Sequence, residues 1–125
     1  MVHIKKVDLF GFKSFGFKTT TVNFEPGLVS ISGPNGSGKS NILDAIIFAM
    51  GENKSRTMRA PTLRALIHDI DGNRHGPKIT RVRLQFDNSD RRIPIDSDIV
   101  TITREMNDKG ESNYYIEEFL HIYHY

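Results

Sequence analysis

Leu28-Val29-Ser30-Ile31-Ser32-Gly33-Pro34-Asn35-Gly36-Ser37-Gly38-Lys39-Ser40-Asn41 is the stretch that decides the fold. A short apolar run of the kind found in a buried central strand leads into glycine-rich residues, and a nearly continuous apolar segment, 41–50, follows. Between them, Gly33 to Ser40 satisfies G-x-x-x-x-G-K-[ST] in the strand, loop and helix context that gives the pattern its meaning. The small residues Gly36, Ser37 and Gly38 let successive backbone N–H groups wrap phosphate oxygens, and the start of the helix adds partial positive charge. In that geometry Lys39 reaches the β- and γ-phosphates of ATP or GTP, and the Ser40 hydroxyl ligates the magnesium that bridges them. Asn35 shapes the loop or lies near the γ-phosphate. A glycine turn that only caps a helix is the plainer alternative. It gives no use for Lys39, because a lysine desolvated beside a helix N-terminus is unfavourable without an anion.

On the N-terminal side, Val2 and Ile4 alternate with polar neighbours and Val7 and Leu9 resume on the other parity, so a strand bulged at Lys5-Lys6 is expected. Residues 19–24 read as its hairpin partner, with Pro26-Gly27 turning the chain into the apolar run. On the C-terminal side, 41–50 is apolar except at Asp44 and ends at Gly51, which predicts a helix covered on most sides and lying deep in the fold. Residues 52–60 read as a polar, basic loop. Leu63, Leu66, Ile67 and Ile70 recur at helical spacing and predict a short amphipathic helix before Asp71-Gly72. Val82, Leu84 and Phe86 alternate with Arg81, Arg83 and Gln85, a half-buried strand closed by a turn at 87–90. A further strand is expected around 99–104, then a turn at 107–110 and a returning strand at Tyr114-Tyr115-Ile116, with both tyrosines packed on the sheet.

The composition sets limits. A chain of 125 residues, 38% hydrophobic and 26% charged, reads as one soluble domain. With no cysteine there is neither a disulfide framework nor a thiolate metal site. No apolar stretch has the length of a spanning helix and residues 3–6 lack a signal-peptide core, so the expected compartment is cytoplasmic, with no membrane partner. A net charge of +2 is a mild bias that does not by itself specify nucleic acid. His68, His75 and the histidines of the tail have no metal-ligand spacing. Hydrolysis by this class usually needs an acid at the end of an apolar strand, and beyond the loop no run of four apolar residues ends in Asp or Glu. The chain is therefore either a fragment or a module that binds nucleotide without turning it over unaided.

The order Gly11-Phe12-Lys13-Ser14-Phe15, then the Gly33 to Asn41 loop, then Met58-Arg59-Ala60, Phe86-Asp87-Asn88 and Gly110 with Ser112-Asn113-Tyr114-Tyr115 resembles the amino-terminal half of the ATPase head of structural maintenance of chromosomes (SMC) proteins. The resemblance covers about residues 2–116. It implies an α/β P-loop NTPase fold, an ABC-ATPase-like half-head with a mixed or antiparallel β-subdomain packed around the P-loop helix. Residues 1–116 would form that half and 117–125 a divergent tail, since the leucine-asparagine-glycine-lysine continuation of the family is absent after Ile116. Family function is ATP-dependent chromosome condensation, cohesion or segregation. The implied partners are the C-terminal half of the same head, reached through a long coiled coil and hinge, a second SMC head across two sandwiched ATP molecules, a kleisin-type subunit and DNA. The implied location is the chromosome, in the cytoplasm or, in a eukaryote, the nucleus.

Carried over residue by residue, Lys13 and Ser14 would lie near the base, ribose or phosphates. Gly33, Pro34, Asn35, Gly36, Ser37, Gly38, Lys39, Ser40 and Asn41 would cradle phosphate and magnesium. Arg59 would match the family's arginine loop, acting like an arginine finger. The bland readings are an exposed lysine after a strand for Lys13, a wet arginine on a basic loop for Arg59, and an Asx turn for Asp87 and Asn88, which is the stronger reading of that pair. Lys5, Lys6, Lys18, Arg56, Arg59, Arg91 and Arg92 are scattered cations that give only a weak case for DNA binding by this half alone. The competing assignments are a related ABC-type repair ATPase, such as the zinc-hook repair protein or a recombination mediator, and a non-catalytic module in which ATP gates association. Phe12-Lys13-Ser14-Phe15 and Met58-Arg59-Ala60 favour SMC over the repair ATPases.

Overall fold

The computed structural model describes residues 3–24, 36–69 and 78–119. The expected strand at 28–32, Gly33, Pro34 and Asn35 of the loop, the turns at 26–27 and 71–72, Ile70, His75 and the tail from residue 120 lie outside the described residues.

Five strands form one antiparallel sheet in the order β2-β1-β3-β4-β5: β1 His3–Phe10, β2 Thr20–Asn23, β3 Ile79–Asp87, β4 Ile99–Asn107 and β5 Ser112–Phe119. The parity change at Lys5-Lys6 is a bulge, because the β1 to β3 register slips between Ile4 and Lys6 so that Val7 meets Leu84 and Leu9 meets Val82. The slip puts both pairs on the buried face. β3 alternates as its sequence requires, with Thr80, Val82, Leu84 and Phe86 buried and Arg81, Arg83, Gln85 and Asp87 half-buried on the other side. β5 continues through position 116 to Phe119, with Glu117 opposite Thr101 and Glu118 opposite Val100.

Helix α1, Gly36–Ala49, lies across the face carrying Val7, Leu9, Val82 and Leu84, and buries Ala45, Phe48 and Ala49 against it. It begins inside the glycine-rich motif, five residues earlier than the apolar run alone suggests. Gly51 ends it as expected, at φ +106 with its N–H donating to the Phe48 carbonyl. The helix is not covered on most sides, however: Leu43 and Met50 are 45% and 62% exposed. The apolar composition overstated the burial because only one stripe of the helix meets the sheet. The register places Leu9, Val82, Arg104 and Tyr114 in one row and Val7, Leu84, Ile102 and Ile116 in the next. Tyr114, Tyr115 and Ile116 are nonetheless about half exposed or more, since β5 is the sheet edge and the core cluster stops at β4.

The second predicted helix does not form. Leu63–Leu66 is one 3-10 turn, and Ile67 then makes an isolated antiparallel bridge with Phe12. Leu66 and Ile67 are buried as the spacing suggested, but the chain leaves helical geometry because Ile67 and His68 are drawn to the backbone at 11–13. The His68 N–H donates to the Gly11 carbonyl at 2.7 Å. Asp87 and Asn88 follow the turn reading. Asn88, 1% exposed, donates its amide to the carbonyls of Ile93, Ile95 and Ser97 and accepts from the Ile93 N–H, so one side chain organises the β3 to β4 loop. Asp87 caps Ser89 there; the Ser89 backbone and side-chain hydrogen bonds hold its carboxyl below the usual carboxylate range.

At Gly11 (φ +66) a Cβ would sit 2.6 Å from the Ile79 carbonyl oxygen and 2.9 Å from the Phe17 ring. Gly11→Ala should therefore lower stability by about 2 kcal/mol or more, through an unfavourable left-handed backbone and a clash with main chain. The check is the urea midpoint, and a loss of less than about 0.5 kcal/mol would contradict this reading of the turn.

Candidate functional site

The turn after β1 prepares the site. The Gly11 N–H donates to the Gly16 carbonyl at 2.6 Å and the Phe15 N–H to the Phe12 carbonyl at 3.0 Å, closing the 3-10 turn Lys13–Phe15. Lys13 sits in the left-handed region at φ +50, and Arg59, after the 3-10 turn Ser55–Met58, does the same at φ +54. Such conformations cost of order 1–3 kcal/mol each in a non-glycine residue and persist only where surrounding contacts impose them. At Lys13 those contacts include the His68 ring: its Nδ1 is within hydrogen-bond distance of the Lys13 carbonyl. A carbonyl can only accept, so Nδ1 carries the proton.

Both strained residues aim their cations at one place. The Lys13 ammonium donates to Asp44 Oδ2 at 2.7 Å and to the Met58 carbonyl at 2.6 Å. Arg59 donates through NH2 to the same Asp44 oxygen at 2.7 Å and to Asn41 Oδ1 at 3.1 Å. Asn41 in turn donates its amide to the Ser14 hydroxyl at 3.1 Å. Lys13, Ser14, Asn41 and Arg59, separated in sequence, are thus brought together. They line a cleft of about 590 Å³ with Ala60, Pro61, Ala65, Ile67, His68 and Asp69.

Lys39 and Ser40 lie near the start of α1, Lys39 exposed and Ser40 half-buried, with Asn41 next in the chain and Asp44 one turn beyond Ser40. Two observations bear on whether this end of the helix suits phosphate and its magnesium. The first turn contains no acidic side chain to offset the positive end of the helix, and a Cβ on Gly38 would meet nothing within 4 Å. Space and uncompensated positive potential coincide, and the donor set of backbone N–H, ammonium and hydroxyl fits a magnesium-bound polyphosphate. Of the remaining motif residues, Gly36 and Ser37 open the helix.

Asp44 is the residue that sequence reasoning missed. In the sequence it stands as the single polar interruption of an apolar helix. That was itself the signal, because an acid within a buried stripe requires a counter-charge from elsewhere in the chain. Asp87, the one acid that ends an alternating strand, is at the wrong end of the sheet: it pairs with His3, whereas Lys13 follows Phe10 at the far end of β1, about 20 Å away at strand rise.

Residues 3–121 match the RecF/RecN/SMC N-terminal domain family. The chain is 42% identical over 116 residues to the chromosome partition protein Smc of Pyrococcus furiosus, an alignment spanning 93% of this chain and 10% of that protein. It thus spans about a tenth of the length of the curated relatives it matches. Among solved structures, it superposes with a TM-score of 0.85 and 42% identity on the Smc head domain with an extended coiled coil bound to the C-terminal domain of ScpA from Pyrococcus furiosus, covering 94% of this chain and 30% of that one. A structure from work on ATP-driven dimerization and DNA-stimulated activation of SMC ATPases gives a TM-score of 0.84 at 41% identity, covering 93% and 70%. The start of α1, the Lys13 turn and the Arg59 turn therefore sit on a fold that matches part of the Smc head domain, and the chain belongs to the RecF/RecN/SMC N-terminal domain family.

Proposed function

We propose that this chain is the ATP-binding, Walker A half of an SMC-type ATPase head, acting in chromosome condensation, cohesion or segregation once joined to its C-terminal half and paired with a second head. The observation that carries this reading is the convergence of Lys13, Ser14, Asn41 and Arg59 on one cleft beside the helix turn that bears Lys39 and Ser40. In it, the backbone N–H groups from Gly33 to Gly38 hold the phosphates and Lys39 neutralises the β- and γ-phosphate charge. Ser40 would hold magnesium, which would supply positive charge to offset that of the phosphates. Lys13 and Arg59 add two cations to the cleft, and Asn41 with Ser14 supplies neutral donors and acceptors beside them. Gly33, Pro34 and Asn35 enter as motif residues only.

The partners in this reading are the C-terminal half-head, a second head, a kleisin-type subunit and, weakly for this half, DNA. The location is the chromosome. The solved Smc head bound to the C-terminal domain of ScpA supports the kleisin assignment by similarity. Leu43, Met50, Tyr114 and Ile116 are surface that the remainder of the head would cover.

Among the described residues, no acid stands at the end of an apolar strand near the cleft, so this half should bind MgATP and leave it intact. Turnover should appear only when the second half and a partner head are supplied. The test is phosphate release by the 125-residue chain alone and by the completed head, with MgATP binding followed by calorimetry. Turnover by the chain alone at the completed head's rate, or no MgATP binding by the completed head, would overturn the proposal.

A further inference from the structure

Asp44 is the only buried carboxylate among the described residues, and its two cations come from outside its helix. Its side chain is 6% exposed, that of Lys13 14% and that of Arg59 54%. A single oxygen, Oδ2, takes both contacts at 2.7 Å. Burying such a group is a poor stability device, since the desolvation of Asp44 and Lys13 about cancels their attraction and an apolar cluster would serve as well. Placing it there does fix where two cations stand. Lys13 is pinned by Asp44 and the Met58 carbonyl. Among the described residues Arg59 is held through NH2, by Asp44 and Asn41, and its side chain lines the cleft. Both residues carry left-handed backbone conformations, which the shared carboxylate helps to impose.

We infer that Asp44 is a positioning residue: without touching nucleotide, its carboxylate holds Lys13 and Arg59 at the cleft in the geometry that receives the phosphates. This rests on the ATP-binding reading above. Because Ser40 and Asp44 are four residues apart on one helix face, the same turn of α1 carries the proposed magnesium ligand and the anchor of both cations. Pre-placing a long cationic side chain removes ordering entropy that binding would otherwise cost.

The test is a double-mutant cycle on MgATP affinity, measured by calorimetry on the intact polypeptide that carries this chain. Asp44→Asn removes the charge and keeps the shape and one acceptor. It should weaken MgATP binding by roughly tenfold, and Arg59→Ala by a similar factor. The double variant should be no more than about twofold weaker than the weaker single one, because Arg59 without its anchor contributes little. Factors that multiply, or Asp44→Asn binding as well as or better than the parent, would overturn the inference; a merely structural Asp44 lowers the thermal midpoint and leaves the Arg59→Ala factor intact. If Asp44→Asn does not fold, the nucleotide-free parent decides. Arg59 should then react with phenylglyoxal about fivefold more slowly than Arg56 and Arg64, its exposed neighbours in the same segment, and equal rates would overturn the inference. Lys39→Ala separates the two claims. Parent-like MgATP binding in that variant removes the ATP-site reading itself, whereas its loss together with multiplying factors in the cycle removes only the role of Asp44.

Discussion

Lys39→Ala should bind MgATP at least about a hundredfold more weakly than the parent chain while unfolding at the same urea concentration. Lys39 is exposed in the first turn of α1, outside the core, so its side chain contributes to stability only as a surface residue does, within about 0.5 kcal/mol. With nucleotide present it would meet phosphate oxygens beside a helix end that carries no acid, and two charge-assisted contacts of about 1.5 kcal/mol each already give a factor above a hundred. Calorimetry and the urea midpoint on the same samples decide the matter. Undiminished affinity would mean that the glycine-rich segment serves only to start the helix.

The second large effect concerns stability. Arg104, 1% exposed on β4, donates through NH1 to the carbonyls of Phe48 at 3.0 Å and Glu52 at 2.7 Å, through NH2 to Asn53 Oδ1 at 2.7 Å and through Nε to the Ser112 hydroxyl at 3.0 Å. Its guanidinium lies 4.2 Å from the Phe48 ring centroid and 5.1 Å from that of Tyr114. Burial pushes its pKa down from the ordinary guanidinium value, though an arginine stays charged at neutral pH. A buried cation thus completes the C-terminus of α1, where the last carbonyls lack helical partners and the dipole is negative. Arg104→Ala removes the charge, takes away the donor to the Glu52 carbonyl, leaves the Phe48 carbonyl with the Gly51 N–H alone, and opens a cavity between helix and sheet. We expect a loss of about 3–5 kcal/mol by urea titration, a large share of the stability of a domain this size. Arg104→Lys should recover only part of it, because an ammonium with three protons cannot serve all four acceptors that the guanidinium reaches. A loss below about 1 kcal/mol would show that water replaces the guanidinium without cost.

Where one face of an element is wet and the other dry, its sequence said so. β3 alternates at every residue, and the Lys5-Lys6 slip of β1 was visible as a change of parity. The same logic misjudged α1, whose apolar composition reads as burial all round although Leu43 and Met50 are exposed. It also failed at 63–70. Spacing there correctly marked Leu66 and Ile67 as buried, but a helix was written where bonds to Gly11, Phe12 and Lys13, more than fifty residues earlier, draw the chain out flat. Of the site, Lys13, Ser14, Asn41 and Arg59 were legible one by one through the family pattern. Their meeting point was not, because Asp44 has a meaning only once the turns after β1 and before Ala60 face the same side of α1.

The pairing of β1 with β3 also governs how the chain comes to be folded. Val7 waits for Leu84, so during synthesis the hairpin of β1 and β2 emerges well before the strand that shields its other edge. Closing so long a span is slow on the scale of local hairpins, and until it closes the apolar stripe of α1 has no surface to lie upon. Assembly of this sheet therefore waits for β3, and Lys13 can meet Asp44 stably only after that strand has arrived.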